Sequence, residues 1–389
     1  MAITVTKAPV LLNFAGNPII VEAKTDLAVS GTDKSLLRVV CRVWVREYTY
    51  DNVEEELYFE LSQPVEDKGT AVFNLSDCVM SRVQRIISGM DMNASGGTDV
   101  EFHWNNPVKI VIQAQVYDVY LFDNQEIKGS EEVVKPDAGH SVFYAVPGRL
   151  TDFELLTFDG IILEDLSNGK MMSRKPDMGV VYKGETVIVP VVNSGSINSS
   201  ELRVSINGVE VERFSDALSS YSLDYQQVSL SHTSDGELTV TSTRGGKKNG
   251  YYRTNTHGVH FLRFINGFGA VENISVRSKD KLSYEVSGET HSLVQGISVR
   301  PTDRRYATKS QPVGVYELSS GYVPKQWAEW FVQELLTSPR VWIQLGGKWI
   351  PALIEAEDDC VIYDRTKPEM PHVDFTLRLA IDGVTGVTW

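Results

Sequence analysis

LLRVVCRVWVREY, residues 36–48, alternates in period two and sets Val39, Cys41, Val43 and Val45 on one face. That spacing predicts a strand with one buried side. Working outward, Leu57–Leu61 (LYFEL) and Val108–Val119 (VKIVIQAQVYDV) repeat the pattern, with turn signals at Lys68-Gly69 and Asp123-Asn124. One amphipathic segment interrupts them. In Asn74–Ser88, Leu75, Val79, Val83 and Ile86 recur at helical spacing, with Asn74 or Ser76 as candidate caps and Gly89 as the stop.

Beyond residue 150 the pattern changes. RLTDFELLTF reads as a short helix, and NGKMMSRKPDMG clusters Gly, Pro and polar residues as a linker does. A second β region follows. Pro190 inside VIVPVV argues for an edge strand or a bulge. Asn207-Gly208, inside Leu202–Phe214, supplies the two positive-φ residues of a type I′ hairpin. His260–Ile265 and Val271–Arg277 flank Asn266-Gly267-Phe268-Gly269 as a further hairpin. In the last region Pro324 opens a helix carrying Trp327, Trp330, Phe331 and Leu335, and Ser338-Pro339 closes it. A hairpin around Gly346-Gly347 and the alternating FTLRLAI (375–381) complete the chain. The expected fold is mainly β: several β-sandwich or β-barrel-like modules with a few short helices. The expected domains are an N-terminal β domain with one helix (1–150), a linker with a short helix (151–178), a central β-sandwich-like domain (179–280) and a C-terminal α+β module (281–389).

The 389 residues carry 51 acids and 37 bases, a net charge of −14. This disfavours a surface dedicated to nucleic acid or anionic membrane, both of which need net cations. The charge is uneven. Residues 1–170 hold 26 acids and 14 bases, net −12, whereas residues 240–309 hold 12 bases and 5 acids, net +7. Three cysteines, Cys41, Cys78 and Cys360, make no disulfide framework or CxxC site and read as buried thiols of a protein folded in a reducing compartment. The N-terminus lacks the pattern of a signal peptide, and no apolar run reaches the length of a membrane helix.

Motifs for chemistry are sparse. There is no GxSxG and no Walker loop, and the glycines at 267 and 269 precede no helix as a dinucleotide site requires. His257 and His260 are three apart on a strand, so their rings face opposite ways. Glu357-Asp358-Asp359 lacks the spacing of a calcium loop. No enzyme, metal site or cofactor is expected. The feature most like a nucleic-acid contact is the basic, glycine-rich stretch from Arg244 through Lys247 and Lys248 to Asn249-Gly250, next to Tyr251 and Tyr252. A hairpin tip or a protein-contact loop fits the same residues.

Several segments resemble virion structural proteins of Bacteroidetes tailed phages and prophages, crAss-like phages included. They are Asn13–Ile20 (NFAGNPII), Val72–Met80 (VFNLSDCVM), Val259–Val276 (VHFLRFINGFGAVENISV) and the C-terminal stretch from Gly296 to Leu379. The last contains Arg304-Arg305, Trp327–Leu336, Ser338–Trp342 and Lys348–Pro351. The chain departs from the resemblance at Gly267, where a basic residue is common. The resemblance implies a non-enzymatic tail ring, hub or baseplate subunit, made in the host cytoplasm and incorporated into the virion tail. It also implies a homo-oligomeric ring, contacts with other tail proteins, DNA contact only through a lumen-facing loop, and no membrane contact. Arg304 and Arg305 then join Arg244, Lys247, Lys248, Tyr251 and Tyr252 as candidate interaction residues. The acidic front and the basic 240–309 segment are expected to meet in neighbouring copies. Two other readings are open: a glycan- or receptor-binding β-protein using exposed aromatics, and a hydrolase using a carboxylate pair that the sequence does not single out.

Overall fold

The computed structural model describes residues 3–26, 35–48, 56–65, 69–93, 102–103, 107–151, 154, 171–193, 199–217, 221–243, 246–286, 290–292, 305–307, 312–356 and 370–380. The N-terminal module contains β1 (Ile3–Lys7), β2 (Leu12–Phe14), β3 (Ile20–Thr25), β4 (Ser35–Tyr48), β5 (Leu57–Gln63), β6 (Thr70–Asn74), α1 (Ser76–Gly89), β7 (Met90–Asp91), β8 (Phe102–His103), β9 (Lys109–Phe122), β10 (Gln125–Val133) and β11 (Phe143–Val146). The opening stretch behaves as its alternation requires. Val39, Cys41, Val43 and Val45 are completely buried, and the last three face Val116, Ala114 and Ile112 across the β4–β9 ladder. The sheet runs β2-β11-β9-β4-β5 with β10 added to β9, and a β1-β3-β6 sheet lies beside it.

Leu75, Val79, Val83 and Ile86 of α1 are buried in the same core. Asn74 serves the helix start through its side chain, its Oδ1 accepting from the Ser76 amide at 3.2 Å, while Leu75 takes the cap position. Beneath α1 lies a buried pair, Arg82 and Glu47, at 3.6 Å. Burial pushes the Cys41 thiol up to about 12, the behaviour of an unreactive core cysteine.

The central module contains β12 (Gly179–Tyr182), β13 (Thr186–Asn193), β14 (Ser199–Ile206), β15 (Val209–Ala217), β16 (Ser222–Ser229), β17 (Gly236–Ser242) and β18 (Gly246–Arg253). A β12-β18-β17-β14-β15 sheet packs on the β13-β16 ribbon as a sandwich around Val189, Val191, Leu202, Val204, Val240 and Tyr252. Asn207 (φ 50°) and Gly208 (φ 78°) make the expected β14–β15 turn. Pro190 sits in β13, which among the described residues has β16 as its single ladder partner, so the missing N–H disrupts no inner ladder there.

The C-terminal module is a closed barrel. Its order is β19 (Val259–Ile265), β20 (Val271–Val286), β23 (Pro312–Ser319), β26 (Asp374–Leu379), β25 (Lys348–Ala356) and β24 (Val341–Leu345), with β21 (Thr290–Ser292) and β22 (Arg305–Ala307) as a side ribbon. Closure leaves the barrel no open edge. Helix α2 (Lys325–Trp330), continued by a π-helical turn over Phe331–Leu335, presents Trp330 and Phe331 to this core, with Trp330 edge-on to Phe264 at 5.7 Å. Pro324 stands at the cap, one residue before its expected place.

The pairing redraws one expected boundary. The β19–β20 hairpin, assigned from sequence to the central region, belongs to the barrel, and residue 280 falls inside β20. A register shift between Ser278 and Leu282 carries β20 on through the polar run Arg-Ser-Lys-Asp-Lys.

Candidate functional site

The three modules meet around the turn Asn266-Gly267-Phe268-Gly269. Asn266 organises it: its Oδ1 accepts from the amides of Phe268 and Ala270, both at 3.0 Å. Its Nδ2 donates to the Met172 carbonyl at 2.8 Å and to Glu272 Oε2 at 3.1 Å. Phe268 reaches into the N-terminal module and stacks on Phe14 at 5.9 Å. The Arg149 amide donates to the Gly267 carbonyl at 2.9 Å. At Gly148, where φ is 107°, a Cβ would collide with the Phe268 backbone.

Arg174 ties this turn to the helix. It grips Glu154 through two bonds of 2.8 and 2.7 Å, donates to Glu334 Oε1 at 2.6 Å and lies over the Phe268 ring at 4.0 Å. Glu334, on the π-helical turn, also accepts from the Gly267 amide at 2.5 Å. A side chain at 267 would run into the Arg174 guanidinium, so the glycine follows from the crossing of these groups. Burial works against the Glu154 charge, yet Arg174 and the Thr151 amide outweigh it and hold the carboxyl below its usual range.

Behind this node, charged groups are packed where apolar residues would be the norm. Lys175, Glu185 and Glu272 are 8, 4 and 3% exposed. Lys175 Nζ donates to the Asn273 carbonyl at 3.1 Å and lies 5.5 and 5.6 Å from the Trp327 and Trp330 rings. Lys248 Nζ donates to the Lys175 carbonyl. Glu272 accepts from Ser173 Oγ at 2.5 Å. Glu185 accepts from Asn273 Nδ2 at 2.6 Å, from the Tyr182 amide at 3.0 Å and from Ser275 Oγ. Burial pushes both carboxyls up, although Lys175 opposes it, and burial pushes the Lys248 amine down.

In front of the cluster, a cleft of about 560 Å³ opens between the sandwich and the barrel. Strand β12, an edge of its sheet, forms one wall; Ser275, Arg277 and Tyr322 belong to the other. Trp327 lies at its base, its indole N–H donating to Asp177 Oδ1 at 2.8 Å. Tyr322 is 71% exposed and sits edge-on to His372 at 5.6 Å.

The residues singled out from sequence are dispersed. Gly246–Arg253 is strand β18 rather than a loop, so its side chains alternate. Lys247 is exposed, while Lys248 turns inward to the junction. Tyr251 is exposed beneath Arg253 at 4.7 Å, but Tyr252 is fully buried and its hydroxyl donates to the His232 carbonyl at 2.9 Å. Tyr252 therefore fills the sandwich core and does not stack on a partner. Arg244 and Arg304 lie outside the described residues, and Arg305 falls in β22. The basic 240–309 segment is likewise no uniform face, since Arg263 is buried over the Trp349 ring at 4.1 Å. Sequence reasoning missed Arg174, Lys175, Glu185 and Glu334. One signal was present at Glu272: the single acid of the strand segment Val271–Val276. No cluster of metal-binding side chains occurs among the described residues, and no helix there is long and apolar enough to cross a membrane.

Comparison with family models finds no match, and comparison with curated proteins finds none either. Among solved structures, the chain is similar at 12% identity to fibronectin(III)-like modules of Clostridium thermocellum CbhA, covering 65% of this chain and 94% of that one with a TM-score of 0.17. It is similar to E. coli alpha-2-macroglobulin at 9% identity, covering 82% of this chain and 21% of that one with a TM-score of 0.19. It is similar to dimeric latent PorU from Porphyromonas gingivalis at 10% identity, covering 90% of this chain and 33% of that one, also at 0.19. The chain thus spans about a fifth and a third of the latter two.

Proposed function

We propose that this protein is a non-enzymatic structural subunit of a phage tail, a ring, hub or baseplate component that assembles with copies of itself and docks neighbouring tail proteins. The resemblance of the segments quoted above supplies the class. One structural observation supports it best: the buried ionizable groups of the central junction are engaged in joining three β modules. Arg174 spans Glu154 and Glu334, and Lys175, Glu185 and Glu272 each contact main chain or side chains of another element. Such a junction fixes the angle between modules, which a subunit of a repeating ring requires.

The test is assembly. Light scattering and negative-stain microscopy of the purified chain, alone and with its tail neighbours, are expected to show rings or incorporation into a particle. A chain that stays monomeric in every mixture overturns the reading. Lys247 is the exposed cation of the original pair, so Lys247→Glu is expected to weaken assembly at low salt and to matter little at high salt. Equal assembly of Lys247→Glu and wild type at low salt would remove the electrostatic part of the proposal.

A second reading, glycan or receptor binding, is favoured by the cleft alone, because it combines the exposed Tyr322 ring with polar groups at Asp177 and Arg277. A glycan array probed with wild type and Tyr322→Ala tests it: hits lost in the variant support it, and a blank array removes it.

A further inference from the structure

We propose that Lys175 and Asn273 are joined by a self-formed isopeptide bond that staples the segment entering the sandwich to barrel strand β20. This goes beyond the tail reading and does not depend on it. Lys175 Nζ is already bonded to the main-chain carbonyl of Asn273 at 3.1 Å, and both residues are 8% exposed. The side-chain amide of the same asparagine is held at both ends. Its Nδ2 donates to Glu185 Oε1 at 2.6 Å, and its Oδ1 accepts from the Ile188 amide at 3.4 Å. The second contact polarises the amide carbonyl, and the first places a carboxyl on the group that must leave. Trp327 and Trp330 wall the amine with aromatic faces. Glu272, fixed by Ser173 and Asn266, provides a second carboxyl in the cluster.

The chemistry balances without an added reagent. The Lys175 amine attacks Cγ of Asn273, and a C–N bond forms. A proton of that amine passes to a carboxylate of the cluster. Collapse of the tetrahedral intermediate breaks Cγ–Nδ2, and a carboxyl of the cluster, with Glu185 already bonded to Nδ2, supplies the proton with which that nitrogen departs as ammonia. Nothing is oxidised or reduced, and the carboxyls end as they began. Burial favours this in two ways: it disfavours the charged form of the acids, so that a protonated carboxyl is at hand for the departing nitrogen, and it excludes the water that would compete as nucleophile. Holding both partners in one folded core replaces a bimolecular encounter, which is how an unactivated amide becomes reactive.

The test is intact-mass spectrometry and peptide mapping of the full chain after folding. The wild type is expected to weigh less than its sequence by one ammonia and to yield a branched peptide containing Lys175 and Asn273. Lys175→Arg and Asn273→Ala are expected at full mass, and Glu185→Gln is expected to leave most molecules uncrosslinked. Succinimide formation at Asn207-Gly208, Asn249-Gly250 or Asn266-Gly267 also releases ammonia, so the branched peptide is the deciding readout. A wild type at full mass overturns the proposal and leaves the cluster as an ionic lock. So does a deficit that persists in Lys175→Arg with no branched peptide. Both results are read on wild-type protein or against it, so misfolding of a variant does not blur them, and neither bears on whether the chain assembles into a tail.

Discussion

The barrel core and the junction beside it are both buried, yet they are built from opposite materials. Inside the barrel, Leu262, Phe264, Leu318, Trp330, Phe331, Ile343 and Leu377 pack without a charge among them. A few ångströms away, Lys175, Glu185, Glu272 and Glu334 are as deeply buried and depend on hydrogen bonds and ion pairs. The apolar region gains from burial in any tight arrangement, so it supplies stability with little directional preference. The polar region loses heavily unless every donor meets its acceptor, so it tolerates one arrangement of the modules. The contrast explains why the charges stand at the module boundaries: they specify orientation where apolar contact alone would permit sliding.

This contrast can be broken experimentally. The largest effect is expected in the barrel, where Trp330→Ala should cost about 4 kcal/mol in urea unfolding, as truncation of a buried aromatic does. Next comes Arg174→Ala, which strands Glu334 at 3% exposure and Glu154 beside it. A loss of about 2–3 kcal/mol is expected, and Arg174→Lys should not restore it, because an ammonium lacks the fork that spans both acids. Limited proteolysis should then show faster cleavage between modules, whereas Trp330→Ala should expose the barrel itself. If both variants unfold with the same cleavage pattern, the two regions are not distinct in role.

The response to pH is expected to be smaller and of opposite sign in the two kinds of acid. Glu185 and Glu272 have folded values raised above the ordinary 4.5, so their contribution is complete below that value and fades as pH climbs through the raised ones. Glu154, held low, contributes above its ordinary value and is lost as pH falls through the lowered one. Glu272→Gln should therefore flatten the alkaline side of the stability profile and leave the acid side unchanged. The smallest effect belongs to the outer face of the N-terminal sheet. Arg38 and Glu126 pair at 2.7 Å but are 39 and 53% exposed, so Arg38→Ala should leave the unfolding midpoint where it was.

Much of the architecture was legible in the sequence. Wherever one face of an element is buried and the other solvated, period two or 3.6 reports it: β4 and α1 appear at their expected positions with the expected faces inward, and β26 alternates as its sequence does. Turn chemistry was equally readable at Asn207-Gly208, because few residues accept that backbone. Reading failed where a signal had two physical meanings. At 267 and 269 the hairpin was legible, but not that its glycines admit Arg174 and Pro147 to close contact. Tyr251 and Tyr252 looked like a stacking pair, but adjacent residues on a strand face opposite ways, and one of them is core. The boundary expected after residue 280 falls inside β20, at a register shift.

The sequence by itself determined the β class, the amphipathic helix after β6, the principal hairpins and the uneven charge, since each is written in local spacing and composition. Only the tertiary structure decided that the six barrel strands close on themselves, that Arg174 bridges residues 20 positions before it and 160 after it, and that Lys175 lies against Asn273. The reason is that burial of a charge costs free energy unless a partner is supplied, and the partner comes from another module. No local pattern encodes that meeting; it exists only when the modules have docked.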